Sequence, residues 1–291
     1  MNITWYIIVC SIALCCSITT IILNLYLLWS FLLKKTRKTD LTLFYYRFSL
    51  DVCFGSCLTI HLTFLILYST FDLSTVRYLL LYSALPYSNF NAARSIISLA
   101  IGLERVTAAY LPIYYRTHRE YIPTVIALLF ALCFGFSENF VLYFICNYSM
   151  NIEIDCYTFG CSVNTCFYAY WTMYKTIIFS MILILSLILA VKLFIWNNCK
   201  STQRNRGMSR ANRLALLDAF TVFIFDFLPA FIGYIWPLYN LFTKNYQAPY
   251  NITSKIIGCA IESIVITILL NWKENSRIQV VGRLSTTKTS K

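Results

Sequence analysis

Charge is scarce in this chain. Only 12% of its 291 residues are Asp, Glu, Lys or Arg, too few to cover the surface of a soluble domain of this length. Histidine occurs twice, as His61 and His118 on different segments, so a His-based metal centre or catalytic cluster is excluded. Glycine totals eight, and neither a Gly-rich pair of unwound segments nor an internal repeat is visible, which argues against a repeat-built transporter. No alternating strand pattern of about ten residues recurs, so a transmembrane β-barrel has no support. An enzyme is not expected, nor is a metal or any other cofactor.

What the chain has in abundance is apolar sequence, 59% of it, gathered in blocks. A helix needs roughly 20 residues to cross a hydrocarbon core about 30 Å thick. Seven blocks reach that length: Trp5–Leu33, Leu41–Ser69, Tyr82–Tyr110, Ile122–Cys146, Tyr170–Trp196, Leu214–Tyr239 and Tyr250–Trp272. The expected fold class is an all-α membrane protein, a seven-transmembrane helix bundle. It occupies residues 1–272, and a basic, Ser/Thr-containing tail follows at 273–291. The short loops leave no room for a separate soluble domain.

Orientation follows from where the basic residues fall. The first block lacks the positive leading region of a cleaved signal peptide, and Lys34, Lys35, Arg37 and Lys38 come after it. With the amino terminus outside, the inside segments also hold Arg116, Arg119, Lys200, Arg204, Arg206, Arg210, Arg213, Lys273, Arg277, Arg283, Lys288 and Lys291. The outside segments hold only Arg77 and Lys244. This positive-inside bias places the carboxy terminus inside. The net charge of +12 is then met by anionic inner-leaflet lipid, and no nucleic-acid partner is needed.

Cys146, Cys156, Cys161 and Cys166 cluster after the fourth block. That segment lies outside, where disulfides persist. Four cysteines allow three pairings, and the sequence does not choose among them. Sequons at Asn2, Asn147 and Asn251 also lie outside on this map, each so close to a helix end that steric blocking works against glycosylation.

Ionisable residues inside the blocks are informative because each costs roughly 2.5–3.5 kcal/mol at a helix centre. Counting about 1.5 Å per residue from the inner ends puts Asp51 roughly 15 Å deep, Arg94 roughly 16 Å, Asp226 roughly 18 Å and Glu262 about 14 Å. These four predict one buried polar layer in which Arg94 pairs with Asp51 or its neighbours. Three acids against one base would leave at least one acid protonated, or helping to hold a cation or cationic ligand. A network that only fixes helix packing is an equally good reading. Glu138, about 24 Å up helix four, could reach an outer cavity. Arg47, four residues before Asp51, is expected to pair with it locally.

Helix three ends in Leu103-Glu104-Arg105-Val106, with Pro112 and Tyr115 beyond it. An acid beside an arginine at a membrane boundary can hold the guanidinium in one state and release it in another. Pro112 restricts the chain just past the helix. This arrangement resembles the Asp/Glu-Arg-Tyr, Pro and Tyr motif of rhodopsin-like G-protein-coupled receptors, with Val106 replacing the aromatic residue. Asn24 and Asp51 resemble that class's inner polar residues. The chain departs from the class in three places. No cysteine begins helix three, helix seven lacks Asn-Pro-x-x-Tyr, and Trp236-Pro237 only loosely matches Trp-x-Pro.

A fuller resemblance rests on Asp40 through Asp51, on Glu104-Arg105 through Pro112-Ile113, and on Arg213 through Phe220 with Phe225-Asp226-Phe227-Leu228-Pro229. These stretches look like nematode serpentine chemoreceptors, nearest the Srbc (class B-like) group. The resemblance implies a plasma-membrane receptor on chemosensory neurons, the sensory cilium included. Such a receptor binds an external small-molecule cue and activates a heterotrimeric G protein. Under it, Pro229 is a candidate hinge and Asp218 a candidate resting-state partner for Arg105, with local pairing to Arg210 or Arg213 as its rival. Ser285, Thr286, Thr287, Thr289 and Ser290 suit kinase control, although an unstructured tail fits their composition better. The competing class is a secondary transporter or channel using the charged layer. A retinal photoreceptor is disfavoured because Lys255 sits too near the outer end of helix seven.

Overall fold

The computed structural model describes residues 3–33, 41–71, 76–118, 123–150, 152, 156, 159–199, 210–235 and 250–286. Inside a bilayer every backbone N–H and C=O must be satisfied within the segment, and helix runs through the described part of each of the seven apolar blocks. The helices are α1 (Ile3–Leu33), α2 (Thr42–Phe71), α3 (Tyr78–Tyr110), the short α4 (Pro112–His118), α5 (Thr124–Phe140), α6 (Phe159–Ser162), α7 (Thr165–Cys199), α8 (Arg210–Val222), α9 (Leu228–Ile235) and α10 (Tyr250–Thr286). A π-helical turn, Val141–Ile145, extends α5, and another, Phe223–Phe227, joins α8 to α9 in one span. No strand occurs among the described residues. The last helix continues past 272 to Thr286, so the tail begins as helix rather than as unstructured chain.

Five of these segments are long and apolar enough by composition to cross a membrane: Thr4–Ser30, Thr42–Phe71, Thr124–Ile145, Thr165–Lys192 and Tyr250–Leu269. The span α3 is not among them, and its position explains why. It packs against α2, α5, α7 and α8, so its surface meets protein rather than lipid and tolerates polar side chains. Ser88, Asn89, Asn91, Arg94, Ser95 and Ser98 are all buried along it. The peripheral α1 is the opposite case. Trp5, Ile8, Ile12, Ile18, Ile22, Leu25 and Trp29 are exposed at spacings of three to six residues, forming the lipid-facing stripe of a helix.

Two local features position the functional side chains. Leu111 ends α3 at φ −122°, ψ 59°, outside the helical region, because the ring of Pro112 crowds the residue before it. The chain turns there and restarts as α4 with Pro112 in its first position, where a missing N–H costs nothing. Further along, α5 approaches α3 so closely that a Cβ on Gly135 would lie 2.4 Å from the Asn89 carbonyl oxygen. That contact brings Glu138, one turn on, against Ser88.

At the end of the bundle after α5, disulfides join Cys146 to Cys166 and Cys156 to Cys161. The loop they close carries α6, whose Phe159 packs on Tyr87, Phe167 and Trp171. Tyr148 donates to the Ser162 carbonyl at 2.6 Å, and Asn164 donates to the Cys146 carbonyl at 2.7 Å. The Asn164 side-chain oxygen accepts from Phe167 N–H at 3.0 Å, capping the start of α7.

Candidate functional site

Four helices meet at a buried charged cluster midway through the bundle. Arg47 on α2 donates to Asp218 on α8 at 2.6 Å, to Asp51 at 3.3 Å and to Glu262 on α10 at 3.3 Å. Arg94 on α3 donates to Asp51 at 2.5 Å and to Glu262 at 3.3 Å. All five side chains are buried. The cluster lies where the apolar core around Leu58, Leu62 and Leu81 gives way to the core around Phe48, Ile97 and Ile266. Beside it, Asn24 on α1 donates to Ser263 on α10 at 2.9 Å.

This arrangement corrects the expected layer in three respects. Asp226 is not a member; it pairs with Lys255 at 2.7 Å. Its place is taken by Asp218, eight residues and about 12 Å lower on the helix axis. The helix begins at Arg210, ahead of the apolar boundary at Leu214, so that boundary is a poor zero for depth in this span. The expected Arg105–Asp218 contact is absent, since Asp218 is held by Arg47. Arg47 is more than a local partner of Asp51: it doubles the cationic count, so two guanidiniums face three carboxylates. The rival partners Arg210 and Arg213 have side chains outside the described residues.

At the α3–α4 corner the motif residues converge. Arg105 is buried and donates to Glu104 at 2.6 Å. Tyr115 on α4 donates to the same carboxylate oxygen and receives a long 3.5 Å contact from Arg105. The turn at Pro112 folds α4 back to bring the phenol within reach. The corner thus brings Glu104, Arg105 and Tyr115 together, an arrangement chemically suited to exchange the guanidinium between partners.

A second polar group lies toward the disulfide end. Glu138 is wholly enclosed, accepting from Ser88 at 2.7 Å and from Tyr174. The Trp171 indole donates to Ser88 at 3.1 Å. Nearby, Lys175 places its Nζ 3.0 Å from the centroid of the Trp171 ring, and Lys255 lies 5.4 Å from the Phe179 ring. Sequence reasoning passed over Lys175. Its available signal was helical phase, because Trp171, Lys175, Ile178, Phe179 and Ile182 share one stripe.

The candidate sequons differ in surroundings. Asn147 is exposed and sits at φ 44°, a left-handed conformation that Asn tolerates. Asn251 lies in the first turn of α10 with its side-chain oxygen enclosed. Asn2 falls outside the described residues. Of the remaining residues named from sequence, Pro229 lies near the start of α9, just past the π turn, whereas Trp236-Pro237 falls outside the described residues.

No curated protein is similar enough to the chain to count as a relative. The family model described as serpentine type 7TM GPCR chemoreceptor Srbc does match, over residues 1–274. That range takes in every apolar block, the charged cluster, the Glu104–Arg105–Tyr115 corner and the disulfide-bearing loop. The chain belongs to the Srbc family of serpentine seven-transmembrane chemoreceptors.

Proposed function

We propose that this chemoreceptor sits in the plasma membrane, the sensory cilium included, with its amino terminus outside and its carboxy terminus inside. It binds a small external molecule toward the disulfide end of the bundle and activates a heterotrimeric G protein at the α3–α4 end. Residues 1–272 form the transmembrane domain and 273–291 the cytoplasmic tail. Glu104, Arg105, Pro112 and Tyr115 form the coupling corner.

The observation that carries this reading is the charged cluster. It ties α8 to α2 directly, and through Arg47 and the shared carboxylates to α3 and α10, by side chains that have alternative partners close at hand. Such a junction is bistable rather than elastic, so a ligand that favours one arrangement at one end changes the other end. In this scheme Asp218 acts through Arg47, holding α8 inward in the resting state. The basic inner segments would face both anionic lipid and the G protein.

The test is nucleotide exchange on a purified G protein, driven by receptor-containing membranes and a panel of small molecules. Ligand-dependent exchange supports the reading. Substrate flux or current in membranes lacking any G protein, with no exchange, would replace it with transport.

A further inference from the structure

Phe159 is a buried aromatic residue that none of the seven spans supplies. It opens α6, in the loop between α5 and α7, and is 5% exposed. Its ring meets three others edge to face, with centroids 6.1 Å from Tyr87 on α3, and 6.2 Å from Phe167 and 5.8 Å from Trp171 on α7. The loop braces it with contacts of its own. Cys156 and Cys161, five positions apart, close a small covalent ring that includes Phe159. The Ser162 hydroxyl donates to the Phe159 carbonyl at 2.8 Å. The Cys146–Cys166 bridge lies outside that small ring and separately ties the π-helical end of α5 to the start of α7.

Two buried polar atoms near this seat lack hydrogen-bond partners among the described residues. The Tyr87 hydroxyl is one, on the ring that Phe159 touches. The other is Nε2 of His61, whose ring lies 5.0 Å from that of Tyr87 and whose Nδ1 pairs with Ser83 at 2.9 Å. Neighbouring donors are already used, the Trp171 indole on Ser88 and the Tyr174 hydroxyl on Glu138. A buried polar atom without a partner costs free energy that a bound molecule can return. The charges at this end are matched, since Lys175 and Lys255 share the fields of Glu138 and Asp226.

From this we infer that Phe159 is a built-in occupant of a binding site for a small neutral aromatic molecule bearing a hydroxyl or carbonyl oxygen. The site needs no ready-made cavity, because the Phe159 side chain itself fills it. The incoming ring replaces that of Phe159 against Tyr87, Phe167 and Trp171, and its oxygen accepts from the Tyr87 hydroxyl. The ring closed by Cys156–Cys161 withdraws as a unit, while Cys146–Cys166 keeps α5 and α7 together. An ionic ligand would bring a charge that two lysines and two carboxylates already in balance do not match. Since the seat is filled at rest, apparent affinity is lowered by the fraction of molecules in which it is vacant. The inference rests on the receptor reading for placing the ligand at this end, but binding and displacement do not require signalling.

The test uses the full chain purified in nanodiscs of neutral phosphatidylcholine, without a G protein. Acetophenone and benzyl alcohol are titrated against ethylbenzene, benzoate and benzylamine, each corrected for uptake by empty nanodiscs. The two neutral oxygen-bearing probes bind at least about tenfold tighter than the other three, and Tyr87→Phe loses about that factor for them alone. Phe159→Ala, whose seat is already vacant, binds them at least about tenfold tighter than the unmodified chain. In the unmodified chain, saturating acetophenone speeds phosphine reduction of Cys156–Cys161 at least about fivefold by uncovering it, and leaves Cys146–Cys166 unchanged, as read by differential alkylation and mass spectrometry. The inference is overturned if neither probe binds, if ethylbenzene or a charged probe binds as well, if Tyr87→Phe binds like the unmodified chain, or if reduction of Cys156–Cys161 is not accelerated. Should Phe159→Ala fail to fold, Tyr87→Phe and the reduction rate still decide the matter. Displacement without nucleotide exchange would sink the signalling proposal alone, and exchange driven by a molecule that leaves Cys156–Cys161 covered, with neither probe binding, would sink this inference alone.

Discussion

Replacing Asp218 with Asn should raise ligand-independent signalling without unfolding the receptor. In the resting arrangement Arg47 reaches across from α2 to α8 in a 2.6 Å hydrogen bond to Asp218. A hydrogen bond to a charged group contributes about 1.5–3 kcal/mol, against roughly 0.5–1.5 for a neutral one. Asp218→Asn therefore weakens the α2–α8 tether by about 1–2 kcal/mol, which shifts a two-state equilibrium by a factor of roughly 5–30. A receptor with about 1% of molecules active at rest would rise to about 5–25%. The fold should survive, because the change removes the surplus negative charge: Arg47 and Arg94 then face only Asp51 and Glu262. Arg47→Met is the informative contrast. It leaves three buried carboxylates facing one guanidinium and should cost about 3–5 kcal/mol of stability. The assay is basal nucleotide exchange normalised to receptor at the cell surface, with thermal unfolding of both purified variants alongside. Unchanged basal exchange from a well-folded Asp218→Asn receptor would refute the tether.

Gly135→Ala, which in an unobstructed helix would stabilise by about 0.5–1 kcal/mol, should here destabilise by about 1–3 kcal/mol, because the new Cβ meets the Asn89 carbonyl at 2.4 Å; thermal unfolding reads the sign. Lys255→Met should lower stability by about 3–5 kcal/mol by stranding Asp226, and adding Asp226→Leu should recover most of it, whereas additive losses would mean that the two groups act independently. An epitope tag on the amino terminus should be reached by antibody on intact cells, and one on the carboxy terminus only after permeabilisation; both tags reachable on intact cells would invalidate the topology.

Arg94 was expected to meet Asp51, and it does, because both residues lie on long regular helices whose inner ends were easily located. Asp218 stands in the cluster where Asp226 was expected, because an error in axial offset does not alter a hydropathy pattern. Arg47 was legible as a neighbour of Asp51, four residues away on one helix, but its reach to Asp218 crosses 171 positions of chain. Helical phase made Lys175 an inward-facing residue in principle. Its seat over the Trp171 ring, within the field of Glu138, became visible only once α7 was set beside α3 and α5.

Apolar runs alone determined the all-helical membrane class. Transfer from water to lipid is summed residue by residue along each segment and needs no knowledge of neighbouring helices. Which cysteine met which, and which acid received which guanidinium, was decided only in the packed bundle. Those choices depend on the rotation and sliding of helices relative to one another. A carboxylate shifted by two turns, about 11 Å along its axis, is beyond hydrogen-bond reach however favourable its sequence context.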